Sequence, residues 1–456
     1  MLEILKNTKK HLDKWTALFI VFYLIFLFFK YPSHKDNRSI IHDVTSYYGY
    51  LPAVFIYDNI DFGFADTMPP GEPLDALWYN SLPNGQRFQK MTMGLSYFYA
   101  PSFFLADVYA QRHPQFNRNG FSKPYQWAMG LNTLLIGIMS VFLMRLILRY
   151  FFTSTVAALV LLLIFAATNL PYYISMAPGL SHPYSFLLLC LQFLLVLKIK
   201  DRAQPFYFLL IGLVTAWLVL IRPTNLLPAL LPLFLFSKDE LWAFTIKKPA
   251  LLLVLVLGAL VPWLPQFMYW KHVSGQFLFY SYDTERFFFN DPKIFEGLFG
   301  FRKGWFVYTP VMLAAVAGLF FKNDNYLISR LKWFVAITLP FYLFVVFSWW
   351  CWWYGGSYGS RVMIEYYVVL AVFLGLVIRY FFQKKTVIKP AVVLLAVFCI
   401  GLTKSQLHQY SVGLLHWDSM TWPAYRAIFL NTKLPANYEK LLVTPDYEKA
   451  KKGMRD

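Results

Sequence analysis

Charge is thin in this chain, and negative charge thinner. Only 14% of its 456 residues are charged, with 24 Asp and Glu against 42 Lys and Arg. Soluble domains run nearer a quarter, so a fully water-facing surface is excluded. Cysteine is almost absent: Cys190, Cys351 and Cys399 stand far apart and two lie inside apolar runs, which excludes a disulfide framework and a CxxC metal motif and leaves packing. There is no Walker-type phosphate loop, dinucleotide fingerprint or HExxH pair, which disfavours a nucleotide-sugar donor. The first apolar run, Trp15 to Phe29, has no small-residue cleavage site and reads as a retained helix.

What is abundant is apolar and aromatic surface, 58% and 20% of the residues. That composition predicts an all-α polytopic membrane protein. The formal charge of +18 sits in short clusters between apolar runs. Such clusters orient spans and do not make a continuous phosphate-binding face, so nucleic acid is not expected as a partner and membrane lipid is.

Lys6, Lys9, Lys10 and Lys14 precede the first run and predict a cytoplasmic start. Further apolar runs fall at 126–148, 155–173, 183–198, 205–221, 224–237, 250–270, 305–321, 332–350, 362–381 and 387–403. Each is near the ~20 residues a crossing needs, which predicts about eleven spans. The segment 91–110 is apolar too. If it does not cross, the inside loops collect Arg145 and Arg149, Lys198 to Arg202, Lys238 to Lys248, Lys322 to Lys332, and Arg379 to Lys389, while short outside loops hold Arg222 or Arg361 alone. If it crosses, this bias inverts. The segment, with Pro101 and Asp107 in it, is therefore expected to lie along the outer interface.

A long first external loop, about 31–125, and a second external segment, about 271–304, follow from this topology. The first holds Asp43, Asp58, Asp61, Asp66, Glu72 and Asp75. The membrane domain is read as 1–403, and 404–456 as an extracytoplasmic tail.

Asp43, just behind the first span in His42-Asp43-Val44-Thr45-Ser46-Tyr47-Tyr48, is the candidate catalytic base. Tyr47 and Tyr48 offer ring faces to a sugar. A solvated or helix-capping aspartate is the plain alternative. Asp61 and Asp66 flank Phe62-Gly63-Phe64-Ala65 and read as a shared base, as metal ligands, or as ordinary turn chemistry. His182 is expected to hydrogen-bond sugar or phosphate; one histidine with no nearby carboxylate makes poor metal-site evidence. Arg222 and Arg361 fall at outer span ends. A guanidinium there either snorkels to headgroups or binds a phosphate with its planar fork. Arg302, closing the second external segment with Lys303, is a weaker candidate for substrate binding, surface charge being the alternative. The tryptophans at 349, 350, 352 and 353 read mainly as an aromatic belt. Gly355, Gly356 and Gly359 read as a turn that lets backbone approach something bound.

The layout resembles the GT-C superfamily of membrane glycosyltransferases, which includes the protein O-mannosyltransferases, the lipid A aminoarabinose transferases and the oligosaccharyltransferases. The likeness covers about residues 10–405. It is carried by Asp43 with Tyr47 and Tyr48, GLSHPYSF at 179–186, RPTN at 222–225 and WWYGGSYGSR at 352–361, in that order and all on the deduced outer side. In several relatives the first-loop site has paired acids, whereas here His42 and Val44 flank Asp43. The resemblance implies a polyprenyl-phosphate sugar as donor, an extracytoplasmic acceptor (protein, lipid A or surface glycan), inversion at the anomeric carbon, and a divalent metal as an open question. A bacterial inner membrane with the site facing the periplasm is the expected location. A transporter or flippase of lipid-linked sugars is the rival reading. It predicts internal repeats and mid-span ionisable residues. No repeat is evident, and the ionisable residues gather at outer ends.

Overall fold

The computed structural model describes residues 11–31, 33, 38–66, 77, 79–383 and 388–455. Lys6, Lys9, Lys10, Glu72, Asp75, Lys384 and Lys385 lie outside them. In chain order come α1 (Leu12–Lys30), α2 (Asp43–Tyr48), α3 (Tyr50–Phe55), strands β1 (Tyr79–Ser81) and β2 (Arg87–Gln89), α4 (Ser96–Arg112), α5 (Lys123–Phe151), α6 (Ser154–Ala166) and α7 (Leu170–Ser175). Then follow α8 (Ser181–Asp201), α9 (Pro205–Ile221), α10 (Leu226–Ala229), α11 (Leu231–Leu235), α12 (Lys238–Trp242), α13 (Pro249–Leu260) and α14 (Trp263–Ser274). The remainder is α15 (Ile294–Phe299), α16 (Trp305–Tyr308), α17 (Val311–Ala317), α18 (Tyr326–Phe347), α19 (Tyr367–Gln383), α20 (Ile388–Ser411), α21 (Trp422–Ile428) and α22 (Tyr447–Lys451).

The chain is a multi-pass membrane protein. Among the described residues six helices, α1, α5, α8, α18, the run Arg361–Gln383 and α20, are long and apolar enough to cross, and a seventh crossing exists if the pair Lys238–Lys247 and Pro249–Leu260, bent by 90°, counts as one. Several expected spans are shorter or broken. The run at 155–173 stops at Ala166, 250–270 breaks at Val261–Pro262, and 305–321 breaks at Thr309–Pro310. Proline accounts for the last two, since it has no N–H to donate and its ring clashes with the preceding turn. Among the described residues the helices are joined by a β1–β2 hairpin, which pairs Tyr79 with Gln89 and Ser81 with Arg87.

The chain forms two compact units. Unit 1 comprises the described part of Met1–Leu24, Ile138–Tyr172 and Thr284–Asp456; unit 2 comprises Ile25–Gly137 and Tyr173–Asp283. In unit 1 the core helix is α19, flanked by α6 and α17 and buried from Tyr367 to Ile378. The tail belongs to this unit. The boundary expected at 403 falls inside α20, which runs on to Ser411, and the stretch beyond it packs back on the unit through Tyr438, Ala450 and Arg455, each under 5% exposed.

In unit 2, α9 lies against both α8 and α13. Glycines permit the second approach: a Cβ at Gly212 would stand 2.0 Å from the Leu255 carbonyl oxygen, and one at Gly258 would stand 2.3 Å from that of Leu209. Small residues let two apolar helices close on one another where no hydrophobic drive from water exists. The segment expected along the interface is helical from Ser96. Asp107 in it accepts from Arg118 (Nε 2.9 Å, Nη2 3.0 Å), Tyr125 (2.7 Å) and Gln111 (2.7 Å). Burial alone would raise its pKa, but these donors hold it below the usual carboxylate value.

Candidate functional site

Unit 2 gathers three of the stretches singled out in the sequence. The first is the turn into α2. The amides of Ser39 and Ile40 both donate to Gln126 Oε1 at 2.9 Å, and His42 then takes φ 51°. That is the left-handed region a residue with a Cβ rarely occupies, at a cost of roughly 1–3 kcal/mol. The turn is closed by Thr45, whose amide and hydroxyl both donate to the His42 carbonyl. Asp43, half-buried, opens the helix.

The second stretch is the turn at Gly179, with φ 87°. Its amide donates to Thr133 Oγ1 at 2.9 Å, and its carbonyl accepts from the Tyr99 hydroxyl. A side chain there would collide with Val44, the neighbour of Asp43, at 2.7 Å. The turn thus sits directly on α2 and leads into Ser181 and His182 at the start of α8.

The third stretch is RPTN. Because α8 and α9 form an antiparallel pair, the residue after α9 returns to the start of α8. Arg222 Nη1 lies 3.1 Å from His182 Nε2 and 3.5 Å from Ser181 Oγ. Asn225 fixes the turn, donating to Ser185 Oγ (2.9 Å) and to the Leu218 carbonyl (3.0 Å). A guanidinium only donates, so His182 Nε2 accepts and the imidazole is neutral with its proton on Nδ1.

Several sequence expectations change here. His182 is fully buried, with Tyr173 edge-on at 5.7 Å, so it faces Arg222 and does not present itself to a substrate. Tyr47 and Tyr48 are 4% and 2% exposed and are core residues, not open sugar platforms; Tyr48 donates to the Gly120 carbonyl. The reason is steric, because α2 is short and Phe103 and Phe121 close on Tyr48. Asp61 is engaged by His272 (2.9 Å) and Gln86 (3.3 Å), and Asp66 pairs with Arg87 at 2.5 Å. Both acids therefore stitch the first loop to its hairpin and to α14. Among the described residues no three of His, Cys, Asp and Glu group to hold a metal ion.

The fourth stretch, WWYGGSYGSR, lies in unit 1. Tyr354 (φ 57°), Gly355 (61°) and Gly359 (60°) make a tight turn. A Cβ at Gly359 would stand 2.9 Å from Tyr308 Cβ. Asn169 Nδ2 donates to the carbonyls of Tyr358 and Ser360, both at 3.3 Å, immediately before Arg361. Trp350, Trp352 and Trp353 are buried inside the unit, which corrects their reading as an aromatic belt. Arg302 is 9% exposed; its Nη2 donates to the Val443 carbonyl and its guanidinium covers the Trp353 ring at 5.3 Å. It packs inside the unit. Sequence reasoning missed Asn169, Asn225 and Gln126 as anchors. The available signal was an amide interrupting or ending an apolar run.

No protein-family model matches the chain, and no curated protein matches its sequence. Its fold is similar to that of a solved membrane protein structure. The likeness is to the oligosaccharyltransferase of Archaeoglobus fulgidus in the apo form, at TM-score 0.51 and 13% identity over 95% of this chain and 59% of that one. A second structure, of the oligosaccharyltransferase AglB from Archaeoglobus fulgidus in complex with an inhibitory peptide and a dolichol-phosphate, aligns at TM-score 0.49 and 12% identity over the same shares. The chain spans about three-fifths of the length of these structures.

Proposed function

We propose that the protein is a glycosyltransferase that moves a sugar from a polyprenyl-phosphate carrier to an acceptor outside the cytoplasm, with a bacterial inner membrane as its place and protein, lipid A or surface glycan as the acceptor classes. The observation that carries this reading is the chain of contacts in unit 2. Asp43 adjoins Val44, Val44 packs on Gly179, and three residues on His182 receives Arg222. A carboxylate and a guanidinium are thereby held on adjoining turns of a GT-C-like fold. Counting the bent pair and the four shorter apolar helices as crossings brings the total to about eleven.

The chemistry is a single displacement. Asp43 takes the proton of the acceptor hydroxyl, the oxygen attacks the anomeric carbon from the face opposite the carrier, and the bond from that carbon to the phosphate oxygen breaks with inversion. The phosphate leaves with its electron pair, and a guanidinium stabilises the charge it gains. Arg222, oriented by neutral His182, is assigned this role, and Arg361 is kept, within unit 1, as a separate phosphate-binding candidate. The test is reconstitution in closed vesicles with a polyprenyl-phosphate sugar supplied outside. Glycosyl transfer with no movement of lipid between leaflets supports the enzyme. Lipid movement without transfer replaces it with a flippase.

A further inference from the structure

Lys303 is a charged side chain with almost no route to water. It is 3% exposed, and its Nζ donates to two backbone carbonyls from distant parts of unit 1, Ser357 in the glycine-rich turn and Trp417 beyond α20. With Asn169 on Tyr358 and Ser360, outside side chains hold three of the four carbonyls that lead into Arg361. The tail also meets the turn through its ring, since a Cβ at Gly356 would lie 3.2 Å from Trp417 Cε3. An apolar residue of Lys303's length would fill the same space without the desolvation cost of an ammonium. What it would not do is join two backbone stretches.

We infer that Lys303 is a positioning residue: it ties the Gly355–Gly359 turn to the tail at Trp417, and by fixing the backbone ahead of Arg361 it sets where that guanidinium sits. The consequence for phosphate rests on the function proposed above; the tie itself does not. The groups facing Nζ are Arg302 on its own turn, Cys351 and Arg361 on the stretch that carries the glycines, Asp418 and His416 on the tail, and the Tyr410 ring at 6.0 Å. Burial pulls the Lys303 pKa down most, Asp418 opposes it, and Arg361 and Arg302 add to the fall, which leaves it at about 7. A neutral amine keeps two N–H donors for the two carbonyls, so the tie holds on both sides of that pH. What changes is the positive charge beside Arg361.

The experiment is hydrogen exchange on the full chain in nanodiscs, with farnesyl phosphate as the binding probe. In Lys303→Met, amides 354–360 and 416–419 are expected to exchange together about tenfold faster, while unit 2 keeps wild-type rates. Affinity for farnesyl phosphate falls about fivefold or more, and Lys303→Arg restores both readouts to within about threefold. Unchanged exchange at both stretches in Lys303→Met overturns the tie. Faster exchange with unchanged phosphate affinity reduces Lys303 to a structural strut and overturns the positioning role. If Lys303→Met does not fold, the arginine variant decides: wild-type exchange supports the tie, and loosened exchange overturns it. Failure of the wild type to bind farnesyl phosphate removes the carrier reading instead, and the tie is then judged on exchange alone.

Discussion

Arg222 donates to His182 across 3.1 Å, joining the residue that follows α9 to the second residue of α8. The two are 40 positions apart in sequence. A buried neutral histidine fixes the orientation of a guanidinium whose planar fork suits an anion. Replacing Arg222 by Lys keeps the charge and loses the fork, so polyprenyl-phosphate affinity is expected to fall about tenfold. His182→Ala should produce a similar loss through misorientation, with His182→Gln, which retains an acceptor, in between. Titration with a soluble polyprenyl phosphate reads all three. Equal affinities across the series would return Arg222 to headgroup snorkelling.

Asp43→Asn removes the basic charge while conserving size. Transfer should drop roughly 100- to 10,000-fold with donor affinity preserved. Single-turnover transfer in detergent measures it. Near-normal turnover in this variant, with Asp61→Asn inactive, would move the base to the Asp61–His272 pair.

Asp107 gives a pH signature of stability. Its folded pKa is depressed, so the stabilisation it contributes is complete above the ordinary carboxylate value and is lost as pH falls through the folded value. Asp107→Asn is expected to cost about 1.5–3 kcal/mol at pH 7 and to flatten the acid limb of a thermal-melt series from neutral pH to pH 3. An acid limb identical to wild type would show that the cluster with Arg118 and Tyr125 adds nothing.

Lys303 acts in the same sense, in a higher pH window. Its folded pKa lies at about 7, below the ordinary lysine value of 10.5, so the unfolded chain binds the extra proton between them. Its contribution to stability therefore rises as pH climbs through that window and is least below pH 7. Melting of Lys303→Met between pH 6.5 and 9.5 should lack the wild-type rise.

At the α9–α13 crossing, Gly212→Ala sets a methyl against a backbone carbonyl. The helices must separate, with an expected loss of about 1–3 kcal/mol in a reversible detergent-unfolding assay. Wild-type stability would mean that the crossing opens without cost.

The membrane character was legible because it depends on composition alone. Runs such as those now seen as α1, α5 and α8 are long, unbroken and nearly uncharged, and each folds as one helix. The breaks at Pro262 and Pro310 were legible in principle, since proline acts through local backbone chemistry. Mean apolarity concealed them.

Site roles divide differently. Asp43, Arg222 and Arg361 stood out because a charge beside an apolar run is rare enough to need a reason. Which of the flanking residues serve them was hidden. Tyr48 and Arg302 have the composition of a binding site and the burial of a core, and burial is set by Phe103 and Phe121 around one and by Trp353 and Val443 around the other.

What the sequence determined by itself is the class of protein and the order of its spans, because transfer from water to lipid is summed residue by residue along a local run. What only the tertiary structure decided is that His182 serves Arg222, and that Lys303 holds the turn before Arg361 to the tail. Those contacts join positions 40 to 114 residues apart. A hydrogen bond depends on distances of a few tenths of an ångström that exist only once helices have packed.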